Sequence, residues 1–290
     1  MSKEQCKKDR AARSNLLPLY LKKHRVGKVH SKFNQGLNVQ FDDFLLYVGC
    51  TGTPLSVLGL NVDEGQIKNI LNSVKSEDMV VNKGNRLLFY SVDGVIVIDY
   101  KDLEEIDLRL PKVKCTIKEL VDTKLYKYLT NMDLAKNIGL YLDERTRKQV
   151  ELLLYSDKTD MKLNSTIIKF FVGRGKGLTP SGDDILLGFT LALLSFDHYW
   201  EWQQVLAAEV TKERTTLVSV AYLNALLQGY VSEYFIKLVE LLDDAASAEI
   251  EKTVKAVQSF GHTSGNDTLF GFFLGLKFLI HQLPVLPCKK

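Results

Sequence analysis

Cysteine, histidine and proline are scarce in this chain, at four, five and six residues among 290. No two of Cys6, Cys50, Cys115 and Cys288 form a Cys-x-x-Cys pair, which argues against a thiolate zinc centre and leaves free thiols of a cytoplasmic protein as the expectation. The histidines His24, His30, His198, His262 and His281 form no His-x-x-x-His pair, so a transition-metal site built on one helical face is not expected. Long apolar runs are missing too. The two most apolar stretches, Ile185 to Phe196 and Leu269 to Leu276, stop at Asp197 and Lys277, short of the roughly 20 residues that cross a bilayer. Charge of one sign is also lacking. With 38 Lys and Arg mixed among 35 Asp and Glu, no basic stripe marks a nucleic-acid footprint. The basic start, Lys3 to Arg13, is the exception; without an apolar core or cleavage site it reads as a frayed or helical terminus, not an export signal. Neither a membrane nor a nucleic acid is therefore an expected partner.

What remains is a globular composition, 46% hydrophobic and 25% charged. From Gly27 to Tyr100 the pattern is that of strands, at Leu37 to Phe41, Phe44 to Val48, Ser56 to Leu60, Leu87 to Tyr90 and Val95 to Ile98. Asp93-Gly94 marks a hairpin turn, and Ile67, Ile70, Leu71 and Val74 put a helix over Asp63 to Val74. After Pro111 the period becomes helical, over Ile117 to Leu129, Leu140 to Tyr155, Asp183 to Leu194, Trp200 to Glu213, Leu217 to Leu227, Val231 to Leu242, Ala248 to Phe260 and Asp267 to Ile280. Strands first and helices later argue for α+β: a small antiparallel sheet or barrel over residues 1–110 and a helical domain over 111–290.

Two helix starts resemble each other. Thr179 to Phe189 (TPSGDDILLGF) and His262 to Phe272 (HTSGNDTLFGF) share six of eleven residues at an offset of 83, where about one is expected by chance. An internal repeat is expected, its two starts facing across a pseudo-twofold axis. Ser181 with Asp184, and Ser264 with Asp267, also read as capping boxes, in which each hydroxyl and carboxylate satisfy the other's backbone donors. Capping leaves unexplained the run Gly173, Gly175, Gly177 before Thr179, the second carboxylate Asp183, and His262 ahead of the twin. A helix N-terminus attracts anions, and the glycine run would let backbone N–H groups approach one closely, with Arg174 and Lys176 adding charge. Asp183 and Asp184 repel a bare anion, so a substrate NH2 group or a Mg2+ ion would have to lie between. No other cofactor is expected. The loop lacks the Gly-Lys-Ser/Thr of a phosphate-binding nucleotide site, which disfavours a small-molecule kinase.

The stretch Gly173-x-Gly175-x-Gly177-Leu178-Thr179-Pro180-Ser181-Gly182-Asp183-Asp184, with Thr215-Thr216-x-x-Ser219 and Gly261-His262-x-Ser264-Gly265-x-Asp267, resembles the AllH-type family. The resemblance implies a carbamoyltransferase subunit that works with two companion proteins in allantoin breakdown, moving a carbamoyl group between oxamate and phosphate. A small anionic amide or phosphate-containing substrate follows from it. Asp183, Asp184, His262 and Asp267 are then the candidate catalytic groups, His262 as general acid or base. Gly173, Gly175, Gly177, Thr179, Ser181, Gly182, Thr215, Thr216, Ser264, Gly265 and Asn266 are the candidate substrate contacts. The alternative is a non-catalytic binding or assembly subunit of a metabolic complex.

Overall fold

The computed structural model describes residues 11–42 and 44–283, so most of the basic start, Cys6 and Cys288 lie outside the described residues. Strands come first and helices follow, an α+β layout. The chain divides into two units, Met1–Arg109 with Tyr230–Glu233, and Leu110–Gly229 with Tyr234–Lys290.

The first unit holds one sheet of nine strands: β1 (Ala12–Ser14), β2 (Val26–Phe33), β3 (Gly36–Phe41), β4 (Phe44–Cys50), β5 (Gly59–Val62), β6 (Met79–Lys83), β7 (Arg86–Ser91), β8 (Gly94–Asp99) and β9 (Glu104–Ile106). Their order is β8-β7-β6-β2-β3-β4-β5-β1-β9. Neighbours are antiparallel except β4/β5 and β1/β9. The β7/β8 hairpin pairs Ser91 with Gly94, so its two-residue loop is Val92-Asp93, and the positive φ of 133° falls on Gly94. A short helix, α1 (Leu17–Leu21), follows β1; α2 (Glu64–Ser73) follows β5, its first turn capped by Asp63, whose carboxylate accepts the Gln66 N–H at 2.8 Å. Ser56 to Leu60 proves to be β5 displaced towards Val62.

The second unit is helical: α3 (Lys124–Thr130), α4 (Glu144–Tyr155), α5 (Met161–Phe171), α6 (Ser181–Ser195), α7 (Trp200–Glu209), α8 (Leu217–Leu227), α9 (Glu233–Glu240, its first residue in the other unit), α10 (Ser247–Gln258) and α11 (Ser264–His281). Ile117 to Leu129 is not one helix. A 3-10 turn at Leu120–Asp122 precedes α3, because Thr123 caps the new helix by accepting the Tyr126 N–H.

Helix α6 is buried on every side, as an apolar, uncharged segment after Asp184 must be. Phe189, Leu193, Leu269, Phe272, Leu276 and Phe278 fill the core between α6 and α11. Burial of such side chains contributes roughly 1.5–3 kcal/mol each. Beside this core, Lys158 is fully buried, its ammonium 4.7 Å from the Phe278 ring and donating to Ser156 Oγ at 2.7 Å and Ser156 O at 3.1 Å. Burial brings its pKa down to about 7.

Candidate functional site

Helices α6 and α11 cross at glycines. A Cβ on Gly188 would lie 1.9 Å from Thr268 O, and one on Gly271 would lie 2.1 Å from Ile185 O. Thr268 stands 83 residues after Ile185, as Gly271 does after Gly188, so the two contacts are reciprocal. Further along, Gly275 meets the Cβ of Ala192, its own counterpart at the same offset. Only a missing side chain permits backbones this close, and the approach draws the two helix starts together.

Neither start is a capping box. Ser181 and Ser264 are the first residues of their helices, while Pro180 and Thr263 hold the cap positions without a side-chain cap. The start falls one residue earlier than the capping pattern requires: Ser181 is already helical, and Pro180, lacking an N–H, takes the cap position with extended ψ. First-turn donors are instead met by the preceding chain: Gly182 N–H bonds Arg174 O at 2.8 Å, and Gly265 N–H bonds Phe260 O at 2.9 Å. Asp183 and Asp184 N–H groups both reach Pro180 O. Gly182 and Gly265 also sit against the carbonyls of Phe171 and Val257, where a Cβ would be 2.0 and 1.8 Å away. Most of the helix-end amides expected to face an anion are thus engaged within the chain.

The glycine run forms the surface next to α6. Gly173 and Gly175 have φ of 70° and 128°, conformations open chiefly to glycine, and a Cβ on Gly175 would lie 2.6 Å from Ser181 N. Arg174 turns back: its Nε donates to Phe170 O at 2.8 Å and its guanidinium stacks 4.0 Å from the Phe170 ring. Lys176 and Gly177 are exposed.

Asp183 holds this loop in shape. Its Oδ1 accepts the Gly173 N–H at 2.8 Å, and its Oδ2 accepts the Thr215 hydroxyl. Thr216 caps α8, accepting the Ser219 N–H at 3.1 Å, and donates to Leu178 O. Asn266, the counterpart of Asp183, accepts from Gln258 Nε2 at 3.0 Å. His262 is exposed in the turn before α11.

The polar centre lies between the starts. Asp184 is 6% exposed and Asp267 fully buried; Oδ2 of each has no hydrogen-bond partner among the described residues. Hydroxyls surround them crosswise, Ser264 and Thr179 beside Asp184, Ser181 and Thr263 beside Asp267. Thr179 Oγ1 and Ser264 Oγ are 2.7 Å apart. Burial pushes Asp184 well above the ordinary carboxylate pKa, the nearby hydroxyls oppose the shift and the Asp267 charge adds to it. Asp267 is also raised by burial, but the Gly139 N–H, which donates to its Oδ1 at 2.8 Å, opposes this.

Gly139 is the residue that sequence reasoning missed. A Cβ there would lie 2.3 Å from Ser181 Oγ, 2.7 Å from Thr263 Oγ1 and 3.3 Å from Asp267 Oδ2. No motif surrounds it, and its backbone is not in the left-handed region, so its need for glycine arises wholly from tertiary contact. As for Mg2+, the adjacent Asp183 and Asp184 do not form a shared pair, since both oxygens of Asp183 are engaged. Among the described residues no three His, Cys, Asp or Glu side chains cluster to hold a metal ion, and no helix is long and apolar enough to cross a membrane.

Residues 171–276, 106 of the 290, match the family model described as oxamate carbamoyltransferase subunit AllH. The matched segment contains both helix starts, the glycine run and the Thr215-Thr216 turn; Gly139 lies outside it. No solved structure matches the chain.

Proposed function

On the premise that this chain is AllH-like, as the match over residues 171–276 supports, we propose that it is the subunit of a carbamoyltransferase complex in which the paired helix starts, two halves of an internal repeat, bind a small anionic amide. In the catabolic direction, phosphate attacks the carbamoyl carbon of oxalurate. A C–O bond to phosphate forms, the C–N bond breaks, and the departing nitrogen takes a proton to leave oxamate and carbamoyl phosphate. The reaction belongs to allantoin breakdown, takes place in the cytoplasm and requires companion subunits.

One observation carries this reading: two buried carboxyls with unpartnered oxygens lie beneath the hydroxyls of Thr179, Ser264 and Thr263. Hydroxyls oriented from below present fixed donors and acceptors above, which is what a carbamoyl group with C=O and NH2 needs. The N–H groups of the exposed Gly175 to Gly177 loop hold the anionic end. Asp183, Thr215 and Thr216 keep that loop in place; they do not touch substrate. His262, exposed at the rim, serves as general acid or base for the leaving nitrogen.

The burial of both carboxyls also favours a second reading, a subunit that binds the carbamoyl ligand while its companions supply the chemistry. Co-purification with companion subunits and an assay of phosphate-dependent oxalurate cleavage tests the first. Asp184→Asn and His262→Ala should cut turnover while assembly stays intact. Unchanged turnover in both, with ligand still bound, leaves the second.

A further inference from the structure

Two buried carboxyls at adjoining helix starts, each with one oxygen lacking a partner among the described residues, cannot both be charged at low cost. No Arg, Lys or His among the described residues pairs with either. Among the described residues no third His, Cys, Asp or Glu side chain joins the two to hold a metal ion. A proton is the smaller correction, and the surroundings decide where it resides. The arrangement is reciprocal in its serines, Asp184 with Ser264 and Asp267 with Ser181, but not in its backbone donors. The Gly139 N–H reaches Asp267 at 2.8 Å, and among the described residues no backbone N–H donates to the side chain of Asp184. A hydrogen bond from an amide N–H favours the charged form of its acceptor.

We propose that Asp184 and Asp267 share one proton at neutral pH, held on Asp184, and that this makes the site asymmetric: a hydrogen-bond donor on the Thr179–Ser264 side and an acceptor on the Thr263 side. The consequence follows from hydroxyl chemistry. A neutral Asp184 donates to Ser264, so the 2.7 Å Ser264–Thr179 pair passes a free O–H outward. The Asp267 carboxylate accepts the Thr263 and Ser181 hydroxyls, whose lone pairs then face a ligand N–H. The ligand class that fits carries an anionic or carbonyl oxygen beside an NH2 group. A phosphate or a dicarboxylate offers no N–H to the acceptor side. This inference rests on the substrate reading for its ligand, not for its proton.

The test is infrared spectroscopy of the ligand-free full-length chain at neutral pH, read for the C=O stretch of a protonated carboxylic acid. The band is expected in the wild type, in Asp267→Asn and in Asp183→Asn, and is expected to vanish in Asp184→Asn. Loss of the band in Asp267→Asn or Asp183→Asn with retention in Asp184→Asn overturns the proposal, and so does a wild type without an acid band. If Asp267→Asn does not fold, the wild type, Asp184→Asn and Asp183→Asn still decide. A second arm measures carbamoyl phosphate and oxamate binding by calorimetry. Asp267→Asn, which replaces an acceptor with a competing donor, should weaken binding roughly tenfold or more. Absence of binding to the wild type, with the acid band present, sinks the substrate reading and leaves the shared proton standing.

Discussion

Replacing Gly139 with alanine separates function from folding at this site. The new methyl would lie 2.3 Å from Ser181 Oγ, 2.7 Å from Thr263 Oγ1 and 3.3 Å from Asp267 Oδ2. Contacts under 3 Å cannot stand, so the two hydroxyls must swing away. Both are ends of small side chains, so the backbone need not move. Each displaced hydroxyl forfeits a hydrogen bond to a charged or strongly polar partner, about 1.5–3 kcal/mol, so turnover or affinity should fall at least roughly 10- to 150-fold. Stability should fall only modestly: displacing donors from the buried Asp267 costs about 1–3 kcal/mol, as for Thr215→Val, and the backbone offsets part of it. Gly139 is not in the left-handed region, where alanine would be strained, and at an ordinary φ the Gly→Ala change returns about 0.4–1 kcal/mol through the unfolded chain. The assay is phosphate-dependent oxalurate cleavage by the reconstituted complex, with thermal melting of the isolated chain beside it. The expected pair of results is a large loss of turnover with a melting temperature lowered by no more than about 8 °C. Turnover within about twofold would refute the reasoning, because a hydroxyl cluster that tolerates a methyl in its midst does not orient the ligand.

Three further outcomes follow from the packing. Gly188→Ala puts a Cβ 1.9 Å from Thr268 O, backbone against backbone, and should cost about 2–4 kcal/mol of stability by denaturant titration, whereas Gly177→Ala, with open space around it, should cost only the strain of its φ of 95°, about 1–2 kcal/mol. Thr215→Val leaves the buried Asp183 with one donor fewer and should cost about 1–3 kcal/mol, measured the same way; a change under about 0.5 kcal/mol contradicts the role given to that bond. Lys158 has a folded pKa of about 7, below its unfolded value, so between pH 7 and about 10 the unfolded chain binds the extra proton and stability rises with pH, by up to about 1.4 kcal/mol per unit. Lys158→Met should flatten that slope and raise stability at neutral pH; an unchanged slope would assign it elsewhere.

The second half of the fold was largely legible because its helices are long runs of apolar residues and good helix formers with no Pro inside them; Leu217 to Leu227, apolar almost all round, is α8 to the residue. Met161–Phe171 escaped although Leu163, Ile167, Ile168 and Phe171 recur at helical spacing, because its β-branched and aromatic run from Thr166 to Phe171 suits a strand equally well. Strand β2 escaped because a bulge between Val29 and Ser31 breaks its period of two. Strand β6 had a readable sign in Gly84-Asn85, both with φ near 60°, the two-residue turn into β7. At the site, the serines and aspartates were visible from the likeness of the two segments Thr179 to Phe189 and His262 to Phe272. Their pairing was not: Asp184 meets Ser264, 80 residues away, not Ser181. The two Gly188/Gly271 contacts create that crossing, and no local pattern reports a helix crossing. The same holds for Gly139, whose role exists only once α11 has delivered Asp267 and Thr263 to it.

The most direct test of the central claim is turnover of the double variant Ser181→Ala, Ser264→Ala in the reconstituted complex. Each serine contributes a hydroxyl to one half of the pair, and neither caps its helix, so loss of fold is not expected. Phosphate-dependent oxalurate cleavage should fall by roughly 100-fold or more, with companion subunits still bound. Wild-type turnover from the double variant would contradict the assignment of the paired helix starts as the carbamoyl site.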